Sequence, residues 1–337
     1  MFKTIRHALF CLVLTLGFAT NPATADTNVA IVIHGGAGNI KAANLSPEQE
    51  ARYKEKLQEA RDRAYELLAN GGKSIDAVIL AITILEDSPL FNAGKGAVYN
   101  FEGEHDLDAS IMEGKQQQAG AVAGVQTVKN PIKLARAVME KSEHVFLSGR
   151  GAEAFAKQEQ LELVDNRYFN TEGRYKSLQK AKKALLKTSW HEMDQNPEID
   201  YKMGTVGAVA LDKYGNIVAG TSTGGRTAKR FGRIGDSPVI GAGTWADNNS
   251  CGVSATGHGE YFIRFNVAAD ICARVKYQGL SIQEAADQVV RKELADINGS
   301  GGVIVLDSQG NVAYSYNSKG MYRAYKRNDT DQHVGIY

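Results

Sequence analysis

Four short motifs hold the side chains that could do chemistry. They are Thr205 in "GTVG", the hydroxyls of "GTSTG" at 220–224, the charged pair in "RIGDSP" at 233–238, and Thr256 in "SATGHGE" at 254–260. Thr205 opens an apolar run after a long polar stretch. A β-branched residue suits the start of a strand, so its plain reading is a strand residue. Its chemical reading is a hydroxyl nucleophile, which needs a base beside it. Arg233 and Asp236 stand three apart in a loop. They could form a surface ion pair, or grip a group bearing both a carboxylate and an ammonium, as the free end of an amino acid does. Thr256, followed by the bare backbone amides of Gly257 and Gly259 before a helix, suits a developing oxyanion.

A competing reading uses Ser222. "GTSTG" matches the G-x-S-x-G nucleophile elbow, and "HGGAG" at 34–38 looks like the oxyanion motif of lipases. The elbow needs a strand, a sharp turn and then a helix. Ser222 is followed instead by "GGRTAKRFGRIGDSPVIGAG", glycine-rich and broken by Pro238. Downstream, His258 and His333 have no obvious strand-end acid before them. A serine esterase is the weaker reading. His34 reads first as structural and second as a base, and the glycines after it as positions for positive φ and close chain approach. With no CxxC, no HExxH and no histidine cluster, a zinc site has no support.

Apolar pattern and capping residues define the secondary structure around these motifs. "VAIVIHGGAG" is a first strand. A helix begins at Pro47 with Ser46 as cap and Gln49 closing a capping box, and Gly71-Gly72 ends it. A second helix, "IDAVILAITILED", is apolar nearly all round and so is expected to be buried. Asn130-Pro131 starts a third. Residues from about 160 to 204 are polar, rich in lysine and without a clear apolar period, which reads as a mobile or partly helical tail. Two segments, "GAVALDKYGNIVAG" at 207–220 and "GVIVLDSQGNVAYS" at 302–315, share Leu-Asp, two variable residues and Gly-Asn between apolar runs, and read as β-hairpins. Between them lie "EYFIRFNVAADICARV", read as one helix, and a helix capped by Ser281 with Glu284. Hairpins separated by helices predict antiparallel sheets covered by helices, an α+β class. Both hairpins are expected to find partners in the N-terminal half, giving one domain.

The 337 residues are 43% hydrophobic with a net charge of +1, so neither nucleic acid nor an anionic membrane surface is implied. Residues 1–25 read as a secretory leader: Lys3 and Arg6, the apolar "ALFCLVLTLGFA", then "ATA" at a cleavage site. The mature chain is expected to start at Asp26, with the bacterial periplasm as destination. Cys11 leaves with the leader. An oxidising compartment permits Cys251 and Cys272 to bridge, but Cys272 shares a helical face with Phe265 and Ala268, which reads as a buried thiol.

Taken together, "HGGAG", "FNAGKGAV", "GTVGAVALD", "TSTGG", "GRIGDSP", "ATGHGE" and "NSKGMYRA" resemble the plant-type asparaginase and isoaspartyl peptidase family of N-terminal-nucleophile hydrolases. The resemblance covers essentially the whole mature chain and implies a four-layer αββα sandwich. It implies self-cleavage between Gly204 and Thr205, giving an α chain of 26–204 and a β chain of 205–337. The freed α-amine of Thr205 would then serve as base. It further implies that Thr223 hydrogen-bonds near the nucleophile and Asn92 shapes its surroundings. Arg233 would hold the substrate α-carboxylate, and Asp236 with the Gly259 carbonyl its ammonium. Thr256 and the Gly257 amide would form the oxyanion hole. The backbone carbonyls of Leu85, Glu86, Ser88, Phe91, Ala93 and Lys95 would wrap a structural sodium, with no cofactor needed for catalysis. Arg226 and Lys229 are expected to face the leaving group. Gly204 stands where a glycosylasparaginase usually has Asp, which favours β-aspartyl dipeptides and asparagine as substrates. A binding protein with a dead site is disfavoured because Thr205, Thr223, Arg233, Asp236 and Thr256 are all present. The assembly implied is a dimer of αβ units.

Overall fold

The apolar run after Asn28 forms β1 (Ala30–Gly38) in the computed structural model, which describes residues 28–185 and 204–337. The leader and residues 186–203 of the expected tail lie outside the described residues. β1 is flanked by β5 (Val206–Leu211) and by β11 (Gly320–Lys326), both antiparallel. β6 (Ile217–Thr223) follows β5 as a hairpin, then come β2 (Leu107–Glu113), β3 (Ala119–Val125) and β4 (Phe146–Ser148), while β12 (Gln332–Gly335) closes the other edge. A second sheet contains β7 (Thr244–Ala246), β8 (Cys251–Gly257), β9 (Gly301–Asp307) and β10 (Val312–Tyr316) in the order β10-β9-β8-β7.

The repeated Leu-Asp…Gly-Asn segments are turn chemistry. Asp212 Oδ1 accepts the amides of Tyr214 and Asn216, and Asp307 Oδ1 accepts those of Gln309 and Asn311. Both segments are hairpins as expected, but they lie in different sheets. Only β5–β6 finds N-terminal partners; β9–β10 pairs with β8, because the C-terminal half supplies its own neighbouring strands.

Strand alternation divides the core. Ala30, Val32, Val209, Leu211 and Ile217 face Ile304, Leu306 and Ala246 across the space between the sheets. Ile31, Ile33 and Ile111 face the other way, against α1 (Pro47–Ala69), α2 (Ser74–Glu86) and α3 (Pro131–Lys141). The outer face of the second sheet, through Val253, Ala255, Val303 and Val305, is covered by α6 (Gly259–Phe265), α7 (Val267–Gln278) and α8 (Ile282–Asp287). α8 runs through a π-helical turn at Gln288–Glu293 into α9 (Leu294–Asp296). The fold is therefore mixed α+β with two sheets. The capping boxes at Ser46 and Ser281 are both formed.

Three local expectations are corrected. The segment read as one helix is two, because Asn266 adopts φ 50° and ends α6. Phe265 is consequently exposed and shares no face with Cys272. Cys272 is bridged to Cys251 rather than a free thiol, with Cα atoms 5.4 Å apart. α7 packs on β8 and brings the two together, a tertiary contact invisible to helical periodicity. α4 (Gly149–Gln158) precedes the tail, whose described part contains α5 (Glu172–Leu185), and α5 buries Leu178, Ala181 and Ala184. These three are spaced by three residues, a helical stripe hidden by its two alanines. Leu178 and Ala181 pack with Tyr99 and Ala228.

Candidate active site

β5 sets its first residues at the end of the first sheet, where β1 bulges between His34 and Gly36. Gly36 has φ +109°, and a Cβ there would overlap the Gly204 Cα. A side chain is thus excluded by the close approach of "HGGAG" to the residue before Thr205. Thr205 is 8% exposed, and its hydroxyl donates to Thr223 Oγ1 at 3.0 Å. Thr223 Oγ1 also accepts the Gly225 amide at 3.0 Å. A hydroxyl that donates its proton to Thr223 keeps its lone pairs free to attack. Asn92 is buried beside the ends of β5 and β6. Its amide N–H donates to the Gly204 carbonyl at 2.9 Å, its Nδ2 to the Gly225 carbonyl at 2.7 Å, and its Oδ1 accepts the Val98 amide at 2.9 Å.

Thr256, fully buried near the end of β8, accepts the Ala37 amide at 3.3 Å. This bond ties the second sheet to the segment that carries Gly36. Gly257 follows on β8, opposite Gly301. Beyond it, Gly259, Arg233 and Asp236 converge. A Cβ on Gly259 would stand 2.8 Å from Asp236 Oδ1 and 2.9 Å from Arg233 Nη2. Asp236 is buried with Oδ2 unpartnered, and burial pushes its carboxyl up to about 7 against the pull of Arg233. An ammonium would relieve both problems.

His34 is buried and lies 3.0 Å from Ser254 Oγ through Nε2. Burial pushes its imidazole down to about 3, so it is neutral and structural. Ser254, Thr221, Thr244 and Ser110 continue as hydroxyls 2.6–2.8 Å apart, ending 2.6 Å from the Ser237 carbonyl beside Asp236. This buried network joins both sheets beneath the site. Ser222 sits inside β6, fully buried, and donates to Glu86 Oε1 at 2.6 Å. No helix follows it, so the nucleophile elbow is absent. Burial raises Glu86 to about 7, opposed by that serine.

Two sequence expectations shift. Lys229 is turned inward, its Nζ donating to the Asp106 carbonyl at 2.9 Å, and does not present itself to a leaving group. Arg226 reaches Glu260, at 3.5 Å. Glu260 was given no role by sequence reasoning, yet it holds Arg233 by two hydrogen bonds of 3.0 Å. Its presence in "ATGHGE" was the one available signal. On the Gly204 side a pocket is lined by Gly35, Tyr53, Phe91, Asn92, Arg174 and Tyr322.

Residues Leu85 to Lys95 leave α2 as a tight loop. A Cβ on Gly94 would collide with the Glu86 carbonyl, and one on Gly96 with the carbonyls of Phe91 and Pro89. Carbonyl oxygens from Glu86, Pro89 and Phe91 thus crowd against bare glycines. A hard cation takes oxygen donors of this kind. Among the described residues no cluster of three or more His, Cys, Asp or Glu is arranged to hold a metal.

Known proteins resemble this chain over nearly its whole length. A family model described as asparaginase matches residues 27–336. An isoaspartyl peptidase of Salmonella typhimurium is 48% identical over 310 residues, covering 91% of this chain and 98% of the relative. The isoaspartyl peptidase of Escherichia coli is 47% identical, covering 91% and 95%. An isoaspartyl peptidase/L-asparaginase of Mus musculus is 41% identical, covering 91% and 90%.

Proposed function

The chain belongs to the plant-type asparaginase and isoaspartyl peptidase family, and on that premise we propose that it is a self-activating hydrolase with Thr205 as nucleophile. Its activity is that of an isoaspartyl peptidase and L-asparaginase. The observation that carries the mechanism is the Thr205 hydroxyl aimed at Thr223 while the preceding carbonyl is held by Asn92. In maturation Thr205 Oγ1 attacks the Gly204 carbonyl carbon, the peptide C–N bond breaks, and water hydrolyses the resulting ester. Gly204 gains a carboxylate and Thr205 a free amine. That amine titrates near pH ~8 and so can take the hydroxyl proton in the next reaction. Thr205 Oγ1 then attacks the side-chain carbonyl of the β-aspartyl group, and the amine passes the proton to the departing nitrogen. Thr256 and the Gly257 amide stabilise the oxyanion. Water releases aspartate. Arg233 reads the α-carboxylate, and Asp236 with the Gly259 carbonyl reads the ammonium.

The two sheets with helices outside them support a four-layer αββα N-terminal-nucleophile sandwich. A sodium in the Leu85–Lys95 loop would stiffen the segment that carries Asn92. The Cys251–Cys272 bridge favours an oxidising compartment and hence secretion. We take the working assembly as a dimer of αβ units.

The test compares kcat/KM for β-aspartyl-leucine and α-aspartyl-leucine. An α-linked peptide has no free α-carboxylate on its aspartyl residue, so Arg233 loses its partner. Losing one member of such a pair costs ~2–5 kcal/mol. The β-linked substrate should be cleaved and the α-linked one rejected. Arg233→Ala should lose most β-aspartyl cleavage, with Arg233→Lys recovering part. Equal rates on the two peptides would remove the substrate reading.

A further inference from the structure

Glu260 stands on the first turn of α6 and faces the loop from Arg226 to Arg233. Its carboxylate accepts from Arg233 Nε and Nη2, both at 3.0 Å, and lies 3.5 Å from Arg226 Nη1. A guanidinium has two edges that can each bind a carboxylate with two N–H bonds. The Nε–Nη2 edge is occupied by Glu260. The Nη1–Nη2 edge is left, and among the described residues Nη1 donates to nothing.

Glycine backbone lies beside that second edge. Gly235 has its bare Cα against Nη1, where a Cβ would stand 2.7 Å away. Gly259 is bare against Nη2 and Asp236 Oδ1. The loop carrying Arg233 also contains two non-glycine residues at positive φ, Ala228 at 58° and Phe231 at 60°. Such backbone persists where surrounding contacts hold it. The Arg233 side chain is 19% exposed, and without a fixed partner its rotatable stem could take many positions.

We propose that Glu260 is a positioning residue for substrate recognition: it clamps Arg233 by one edge, and Arg226 with it, so that the other edge points at the α-carboxylate of the β-aspartyl group. This rests on the reading of Arg233 given above. Burial pushes the Glu260 carboxyl up, but the Arg233 hydrogen bonds and the charges of Arg233 and Arg226 outweigh it and hold it at about 2. The clamp is therefore charged throughout the working pH range. The role is to orient, because a second carboxylate on the same edge would meet like charge.

The experiment measures kcat and KM for β-aspartyl-leucine and for β-alanyl-leucine, which keeps the amine and scissile bond but lacks the α-carboxylate. Wild type, Glu260→Gln, Glu260→Asp and Arg233→Ala are compared, with chain cleavage checked on a denaturing gel. Glu260→Gln keeps size and shape while losing the charge. It should mature normally and raise KM for β-aspartyl-leucine about tenfold, with kcat changed less than twofold, because the two hydrogen bonds it weakens are charge-assisted. Glu260→Asp should recover part of the loss. Turnover of β-alanyl-leucine should be the same in wild type and Glu260→Gln. A wild-type KM in Glu260→Gln, beside an Arg233→Ala enzyme that has lost the dipeptide, would overturn the clamp while leaving the carboxylate reading standing. An unaffected Arg233→Ala would overturn that reading itself. An equal loss on both substrates would make Glu260 a general support of the fold and end the proposal.

Discussion

The backbone amide of Asn92 points at the carbonyl oxygen of Gly204, 2.9 Å away, across 112 residues of sequence. A donor fixed on that oxygen is placed to stabilise the negative charge that forms when Thr205 attacks the same carbonyl. Purified protein should therefore run as two chains divided at Gly204–Thr205, and Thr205→Ala as one inactive chain. Gly36→Ala should mature slowly, since its Cβ would overlap the Gly204 Cα and its φ of +109° disfavours a side chain. Intact-mass measurements over time read both. An active chain with an unbroken 204–205 bond would sink the mechanism.

Asp236 gives a pH dependence. Its carboxyl, raised to about 7 by burial, is protonated in part of the free enzyme at neutral pH. Only the ionised form attracts the substrate ammonium. KM for β-aspartyl-leucine should accordingly fall as pH rises through about 7, and rise again as the substrate amine loses its proton near pH ~8. A substrate lacking the amine, β-linked succinyl-leucine, should lack the limb near 7. If both substrates show the same profile, Asp236 does not read the ammonium.

α5 braces the substrate loop. Leu178 and Ala181 pack with Tyr99 and Ala228, and the Ala228 amide donates to the Tyr99 carbonyl at 2.8 Å. Arg230 stacks over Phe101 in the same layer, 3.8 Å from its centroid. Leu178→Ala removes the largest buried aliphatic side chain from that cluster and should loosen the helix. Limited trypsin should spare Lys180, Lys182 and Lys183 in the wild type and cut there in the variant, whose KM should rise. Cleavage at those lysines in the native protein at the same rate would mean α5 is not docked.

The Cys251–Cys272 bridge closes a sequence separation of 21 residues. A loop of that length predicts ~2–4 kcal/mol of stabilisation, mainly by restricting the unfolded chain. Cys251→Ala with Cys272→Ala should lower the urea midpoint while leaving kcat/KM within about twofold, because neither cysteine touches the proposed site residues. Identical midpoints with and without reductant would show that the bridge is not formed in solution.

Much of this was determined by sequence because it is local. The capping boxes at Ser46 and Ser281, the proline-started α1 and α3, and the Asp-centred hairpin turns depend on groups within four residues of each other. The site motifs were legible for a similar reason: each is a strand end or loop whose glycines have a backbone duty, as Gly36 and Gly259 show. Tertiary structure alone decided which sheet each hairpin joined, since β5–β6 and β9–β10 have the same pattern and differ only in the strands waiting beside them. It also decided that Cys272 meets Cys251, that Lys229 turns inward, and that Glu260 rather than Asp236 holds the Arg233 side chain. A charged side chain carries no mark of its partner in its own sequence neighbourhood. Arg233 and Glu260 are 27 residues apart in the chain, and only packing of α6 against the loop makes them a pair.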